Sequence, residues 1–307
     1  MNVISNAVIQ DSPKKSRNLS IIKLLVREMR PKQWSKNLLV FAALIFSIDR
    51  FNLDMGLYAF IGFACFCIIS SCVYILNDFV DREADKVHPT KKNRPIASGE
   101  LNPYVALIFG LVIFLLVISF AVYFNNLFGI VLILYFLLNV AYSFKLKHIV
   151  ILDVMTIASG FVLRAVGGAL VIHVEMTPWF LICTMLLALF LGINKRRNEL
   201  IVLEKNSSHH RRVLNSYSIQ LIDQMNSVVT TATVVSYALF TFTSGRTVQL
   251  MWTIPLVLYG IFRYLYLIYV KNEGGSPEKL LFRDKHLLLT VIVYAIITII
   301  VLLLFDK

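Results

Sequence analysis

The chain reads Tyr74-Ile-Leu-Asn-Asp-Phe-Val-Asp-Arg-Glu-Ala-Asp85 at the end of a long apolar run. Because successive residues of a helix rotate by about 100°, four oxygen-bearing side chains share one face: Asn77, Asp78, Asp81 and Asp85. Three carboxylates on one face repel each other, and at a helix C-terminus they also oppose the macrodipole. Mg²⁺ would offset this repulsion, because it binds carboxylate oxygens and keeps water or substrate phosphate as its other ligands. The stretch therefore predicts a magnesium site, and the alternative is a solvated acidic helix end.

The rest of the chain has the composition of an integral membrane protein. Of its 307 residues, 58% are hydrophobic and 16% are charged, and the mean hydropathy is +0.73. A soluble domain of this length does not use so many apolar residues. Apolar segments that could cross roughly 30 Å of hydrocarbon as helices predict an all-α, polytopic fold with about nine transmembrane helices. The segments are 36–50, which is short, 55–79, 103–124, 126–144, 149–172, 176–194, 221–243, 250–270 and 287–305.

Most of the 30 Lys and Arg residues fall in the N-terminal tail and in every second connection between segments. The positive-inside rule therefore predicts a cytoplasmic N-terminus and, after nine spans, an outer C-terminus in the plasma (inner) membrane. This sorting also explains the net charge of +12 without nucleic acid as a partner. We expect a tail over 1–30 and a single transmembrane domain over 31–307, whereas the oligomeric state has no signal in the sequence. The predicted cytoplasmic loops lie near 81–102, 145–148, 195–220 and 271–286.

Several segments on the predicted cytoplasmic side carry side chains that suit phosphate groups. A metal ion flanked by Lys and Arg matches a diphosphate, because the ion bridges phosphate oxygens and the cations neutralise the remaining charge. Glu199 would either complete the metal shell or orient a cation. The alternative is ordinary positive-inside charge with an interfacial belt. The candidate phosphate-binding residues in these segments are Lys36, Arg94, Tyr142, Lys145, Lys195 and Arg196.

Arg164 lies deep inside the predicted span 149–172. A charge surrounded by hydrocarbon is costly and usually faces a cavity, so this arginine needs a partner. Two partners remain open: Asp153, if the helix breaks near Gly160, or a phosphate group of a ligand. We therefore add Arg164 to the candidate phosphate-binding residues.

A helix ending in Asn77-Asp-x-x-Asp-x-x-x-Asp85, followed by Asn93-Arg-Pro-Ile-Ala-Ser-Gly99, resembles the UbiA superfamily of intramembrane prenyltransferases. The resemblance covers most of the chain. It implies a diphosphate held through Mg²⁺ and a cavity that opens to the cytoplasm and sideways to the bilayer. Where the family has a second acidic motif, this chain has Lys195-Arg-Arg-Asn-Glu199. With this basic segment and with Arg30-Pro-Lys-Gln-Trp-Ser-Lys-Asn37, the chain resembles the decaprenyl-phosphate phosphoribosyltransferase branch of the family.

That branch implies transfer of 5-phosphoribose from phosphoribosyl pyrophosphate to a polyprenyl phosphate, with Mg²⁺ as cofactor. Asp78, Asp81 and Asp85 would be the catalytic carboxylates, and Asn77 and Glu199 further metal ligands. Three phosphate-bearing groups would meet in this reaction, which requires more cations than a prenyl transfer does. One alternative keeps the fold and moves a prenyl group from a prenyl diphosphate to an aromatic acceptor. Another is a transporter or lipid-binding protein that uses the acidic motif as a cation site. The scarcity of charged residues in most spans argues against an ion pathway.

Overall fold

The structure is a computed structural model that describes residues 20–89, 91–205, 212–271, 273, 275 and 277–306. Every regular element in this part of the chain is a helix, as predicted. The α-helices are α1 (Ile21–Glu28), α2 (Ala42–Ile45), α3 (Leu53–Val80), α4 (Arg82–Lys86), α5 (Pro103–Phe124), α6 (Asn126–Phe144), α7 (Leu152–Val171), α8 (Pro178–Lys205), α9 (Ile219–Thr243), α10 (Ile254–Tyr269), α11 (Pro277–Arg283) and α12 (Lys285–Phe305). The 3₁₀-helices are Pro31–Phe41, Ile48–Arg50, Lys91–Asn93, Leu146–His148, Arg212–Ser216 and Val248–Thr253.

Eight of the nine predicted spans are helices that are long and apolar enough to cross a membrane, within the described ranges. They comprise α3, α5 to α9, α10 with the 3₁₀ turn before it, and α12. Several begin at a polar residue whose side chain accepts a backbone N–H of the first turn, which is the preferred chemistry for a helix start. These N-caps are Asn52, Asn102, Asn125, Ser218 and Asp284. The bundle is that of a multi-pass membrane protein.

The first predicted span, 36–50, is not a single α-helix, and this part of the prediction is wrong. It consists of the 3₁₀-helix Pro31–Phe41, the short α2 and the 3₁₀ turn Ile48–Arg50. A 3₁₀-helix rises about 2.0 Å per residue against 1.5 Å for an α-helix, so residues 31–50 reach farther than an α-helix of equal length. We call residues 31–50 the first crossing.

The ends of the first crossing lie at opposite faces of the bundle. Immediately before its start, Arg30 donates to Asp78, near the end of α3. At its far end, Asp49 pairs with Arg246 after α9 (Oδ1 to Nη1, 3.3 Å), and Arg246 also pairs with Asp306 after α12 (Nη1 to Oδ2, 2.7 Å). The segment therefore traverses the whole bundle, which agrees with the prediction of about nine crossings.

The first crossing packs closely on α7 because Gly168 has no side chain. A Cβ atom at Gly168 would lie 2.1 Å from the carbonyl oxygen of Val40, so two backbones touch there. Val40 itself is buried in the main apolar cluster, together with Phe66 of α3 and Phe128 of α6. The irregular crossing is thus held by backbone contact with α7 and by side chains from α3 and α6.

The predicted cytoplasmic loops are partly helical. Residues 195–205 are the last turns of α8 rather than a loop, and residues 206–211 of the predicted loop 195–220 lie outside the described ranges. Within the predicted N-terminal tail, α1 is a helix that packs against α3 through Leu24 and Ile75. We call the end of the bundle that carries α1, the end of α3 and α4 the motif face.

Candidate active site

The acidic motif bends at Asp81 instead of continuing as one helix. α3 ends at Val80, Asp81 has φ −87° and ψ 5°, and the short α4 follows. The backbone N–H of Asp81 still donates to Asn77 (2.8 Å), and that of Asp85 donates to Asp81 (2.8 Å). The prediction of four side chains on one helix face is therefore wrong, although the motif stays compact.

Asp78 and Asp85 are both buried, and one guanidinium joins them. Nη1 of Arg94 donates to Oδ1 of Asp78 (3.0 Å) and also to Asp85. Arg30 donates to both oxygens of Asp78, and Nζ of Lys91 lies 3.6 Å from Oδ1 of Asp85. Two buried carboxylates thus converge on a single nitrogen atom of Arg94.

Asp81 points to a different cation. Its carboxylate is 37% exposed and lies 3.4 Å from Nζ of Lys147, in the connection between α6 and α7. The predicted Lys145 is exposed, and its neighbour Lys147 contacts the motif instead. Asn77 is half-buried on the last turn of α3.

The donors fit a divalent cation, although none of the described residues forms a preassembled site. Among the described residues, no three Asp, Glu, His or Cys side chains stand together as a metal site. Instead, Asp78 and Asp85 both bond to a positively charged nitrogen of Arg94, which marks a place where one cation can touch both carboxylates. Hard carboxylate oxygens are the ligands that Mg²⁺ prefers. A metal ion that bound both carboxylates would take the place of the Arg94 guanidinium.

A second charged cluster surrounds Arg196 on α8. This guanidinium is buried and donates from Nε to Oδ2 of Asp153 (2.7 Å), from Nη1 to Glu199, and from Nη2 to the hydroxyl of Tyr142 (3.4 Å). A buried arginine needs such partners, since an unpaired charge is costly. In this structure Glu199 orients a cation, which is one of the two roles considered for it.

Tyr217 completes this cluster from the connection before α9. Its hydroxyl donates to Oδ1 of Asp153 (2.7 Å) and accepts the backbone N–H of Ile151 (2.7 Å). Burial, together with the bond to Asp153, raises the pKa of Tyr217 well above its ordinary value, so the phenol stays a donor. The sequence gives no sign of this residue, because it is far from Asp153 along the chain.

The bond from Ile151 secures a strained turn at the start of α7. Ile151 has φ 70° and ψ −46°, and the N–H of Leu152 donates to the carbonyl of Val150 (2.8 Å). This is the rare form of the γ-turn, and a β-branched residue at positive φ is an outlier. Such strain persists only where surrounding contacts enforce it. Here the phenol of Tyr217 enforces it beside the Arg196 cluster.

Arg164 does not pair with Asp153, which is one of the two partners considered from the sequence. Its guanidinium donates to Oδ1 of Asn37 (2.7 Å), the carbonyl of Gly160 (2.9 Å) and the hydroxyl of Tyr135 (2.7 Å). The suggested partner Asp153 is bonded to Arg196 and Tyr217 instead, so that pairing is wrong. These three hydrogen-bond acceptors of Arg164 are all neutral groups.

The end of α1 adds two residues that the sequence analysis missed. Arg30 bonds to Asp78, and Glu28 is buried beside the same carboxylate. Burial and the adjacent Asp78 raise the pKa of Glu28 to about 8. The predicted residues Lys36 and Lys195 are half-buried at the start of the first crossing and near the end of α8. The acidic motif is thus surrounded by charges from α1, from the 91–94 turn and from the α6–α7 connection.

The sequence model described as the UbiA prenyltransferase family matches residues 38–292. The chain belongs to the UbiA prenyltransferase family. As a UbiA protein it is a transferase. It is similar to the decaprenyl-phosphate phosphoribosyltransferase of Corynebacterium glutamicum, with 33% identity over 91% of this chain and 86% of that one. The enzyme of the same name from Mycolicibacterium smegmatis is 31% identical over 87% of this chain and 89% of its own length.

Solved UbiA structures share the fold. A UbiA homolog from Archaeoglobus fulgidus, bound to GPP and Mg²⁺, has a TM-score of 0.68 and 18% identity, covering 90% of this chain and 99% of that one. A digeranylgeranylglyceryl phosphate synthase structure also has a TM-score of 0.68, with 14% identity, 93% of this chain and 99% of that one covered. These similarities establish the UbiA architecture for this chain.

Proposed function

We propose that the protein transfers 5-phosphoribose from phosphoribosyl pyrophosphate to a polyprenyl phosphate and releases pyrophosphate. The observation that carries the proposal is the pairing of the three motif carboxylates with four cations. The motif carboxylates form ion pairs with Arg30, Lys91, Arg94 and Lys147. Where the UbiA family has a second acidic motif, this chain has the mostly basic segment Lys195–Glu199. A reaction between several phosphate groups requires this charge balance. The names of the two relatives described above support the same reaction.

The motif carboxylates of Asp78, Asp81 and Asp85 would hold the cofactor Mg²⁺, with Asn77 as a further ligand. Mg²⁺ bound there would neutralise negative charge on the departing pyrophosphate. Arg30 and Arg94, once released from the carboxylates, can donate to phosphate oxygens of the donor. The protein's own groups thereby bind and orient the diphosphate.

The acceptor needs no general base in this proposal. A phosphate monoester with a second pKa near 6 is largely dianionic at pH 7. One of its oxygens attacks C1 of the ribose from the side opposite the pyrophosphate, the C1–O bond to pyrophosphate breaks, and the configuration at C1 inverts. We assign the remaining phosphate contacts to Lys36, Tyr142, Lys145, Arg164, Lys195 and Arg196. Glu199 would hold Arg196 in place rather than bind metal.

The orientation belongs to the same proposal. The motif face would lie at the cytoplasmic side of the plasma membrane, where a soluble diphosphate can reach it, and the lipid phosphate would enter from the bilayer. The charge sorting of the loops supports this orientation. Division into a tail over 1–30 and one domain over 31–307 stays a prediction. Within that tail, α1 packs on the motif face.

The test is transfer by the purified protein with Mg²⁺, labelled phosphoribosyl pyrophosphate and polyprenyl phosphate. Asp81→Asn should lower turnover by orders of magnitude while the protein stays folded in detergent. The matched control is Glu83→Gln, because Glu83 is an exposed acid on the adjacent α4 that pairs with Lys86. A lipid-linked ribosyl product supports the proposal. Product only from a prenyl diphosphate and an aromatic acceptor would establish the alternative, and an active Asp81→Asn variant would contradict the site.

A further inference from the structure

A small cavity of about 330 Å³ opens beside Asp78 on the motif face. Its wall carries positive charge from three arginines and a lysine, and negative charge from two carboxylates. The lining residues are Arg27, Glu28, Arg30, Asp78, Lys91, Asn93, Arg94 and Pro95. The cavity therefore joins the end of α1 to the acidic motif.

Glu28 differs from the motif carboxylates in this cavity. Only 1% of the residue is exposed, and neither carboxylate oxygen accepts a hydrogen bond from an N–H or O–H group of the described residues. Its carboxyl group lies against that of Asp78. Asp78, Asp81 and Asp85 each bond to a cation. A buried carboxylate without a partner is costly, and a native structure keeps one for a reason such as a ligand or an ion.

The position of Glu28 is fixed by the packing of α1. Leu24 is buried against Ile75 of α3 and Ile96 of the following turn. Nη2 of Arg27 donates to the carbonyl of Asn93 (2.7 Å). These contacts hold the end of α1 against the motif, so the carboxylate of Glu28 reaches the cavity from a rigid element, as a binding residue should.

We propose that Glu28 is a ligand for the divalent cation, which it binds together with Asp78. The proposal rests on the proposed function only in requiring a divalent cation at Asp78. On α8, Glu199 and its partner Arg196 are bonded to each other, so α8 offers no comparable unpaired acid among these cluster residues. Glu28 supplies a carboxylate from the last turn of α1, and the chain before the first crossing thereby becomes part of the metal site.

Adjacent buried carboxylates can also share a proton in place of a metal ion. Glu28→Gln separates these two states, because glutamine has the shape and hydrogen-bonding capacity of the protonated acid and lacks the negative charge. A metal ligand therefore loses its function in this variant, whereas a protonated structural acid does not.

The experiment measures Mn²⁺ binding to the full chain in detergent, with inorganic pyrophosphate present, by electron paramagnetic resonance of the free ion. We expect Glu28→Gln to weaken Mn²⁺ binding by at least about tenfold, the scale seen when groups around a metal are removed. Glu83→Gln removes an exposed acid of α4 and should bind Mn²⁺ as the wild type does. Size-exclusion chromatography and the melting temperature verify that each variant is folded.

Wild-type affinity in Glu28→Gln would overturn the proposal, and so would absence of Mn²⁺ binding by the wild type. If the Gln variant does not fold, Glu28→Asp replaces it: withdrawal of the carboxylate by one methylene weakens Mn²⁺ binding if it is a ligand, and unchanged binding overturns the proposal. Glu28-dependent Mn²⁺ binding without phosphoribosyl transfer would refute the proposed function alone. Transfer with unaltered binding in Glu28→Gln would refute only this inference.

Discussion

Tyr217→Phe tests whether the phenol holds the charged cluster and the strained turn together. The substitution removes only the hydroxyl and keeps the ring that packs beside Val154 and Leu214. Two hydrogen bonds disappear, the one donated to Asp153 and the one accepted from the N–H of Ile151. The change is therefore confined to polar contacts.

The expected loss follows from the two bonds. A hydrogen bond to a charged group contributes about 1.5–3 kcal/mol, and a buried donor left unsatisfied costs about 1–3 kcal/mol. At the lower end of both ranges, the free energy of unfolding falls by about 2.5 kcal/mol. With an unfolding entropy of about 2.1 cal/mol/K per residue, this loss lowers the melting temperature of a chain of 307 residues by about 4 °C. The γ-turn at Ile151 is also freed to relax, which should disturb the start of α7.

The assay is thermal unfolding in detergent. The measured quantity is the fraction of protein that remains monodisperse after heating to each temperature. Tyr123→Phe is the matched control, since Tyr123 is 93% exposed and its hydroxyl should not affect the melting temperature. The transfer assay on the same samples should show a lower rate, because Asp153 also holds Arg196. A melting temperature within 1 °C of wild type would refute the reasoning that the phenol supports this cluster.

Three further changes test other contacts, each by the melting temperature in detergent. Gly168→Ala places a methyl group 2.1 Å from a backbone oxygen of the first crossing, and we expect a loss of about 3 kcal/mol as the backbones separate; a neutral result would contradict the close approach. Tyr135→Phe leaves one N–H of the buried Arg164 unsatisfied and should cost about 1.5–3 kcal/mol, whereas no change would mean that water replaces the phenol. Hydrogen bonds from Arg263 hold the pKa of Asp284 below its ordinary value, so its ion pair stabilises the protein above about pH 4 and is lost as the pH falls further. Asp284→Ala should therefore be less stable than wild type near pH 7, with a difference that shrinks at more acidic pH; a constant difference would assign the whole effect to the N-cap.

The fold follows from the sequence wherever a long apolar segment starts at a capping residue. Asn102 and Asn125, for example, begin α5 and α6 at the predicted places. The first crossing does not follow, because its 3₁₀ geometry is coupled to a backbone contact with Gly168, which no local pattern reveals. Hydrophobicity predicts that a segment crosses, and tertiary contact decides in which helical form it does so.

The candidate site was only half accessible from the sequence. Helical spacing found Asp78 and Asp85, which do converge on one cation, but it could not predict the bend at Asp81 that turns one carboxylate toward Lys147. Glu28 was missed, because nothing in its local pattern indicates that α1 packs back onto α3. Ion pairs between segments distant along the chain depend on the packing of whole helices, and a spacing rule within one helix contains no information about it.

The first crossing also joins the early and the late helices of the chain. One half of it packs against α7 through Val40 and Gly168, while the ring of Phe46 lies 5.4 Å from Phe180 of α8 and 5.5 Å from Phe240 of α9. Arg246 then fastens its end to the C-terminal end of α12. A segment that is largely 3₁₀-helical thus lies between the two groups of helices and contacts both. Small changes in its pitch would alter the spacing between those groups.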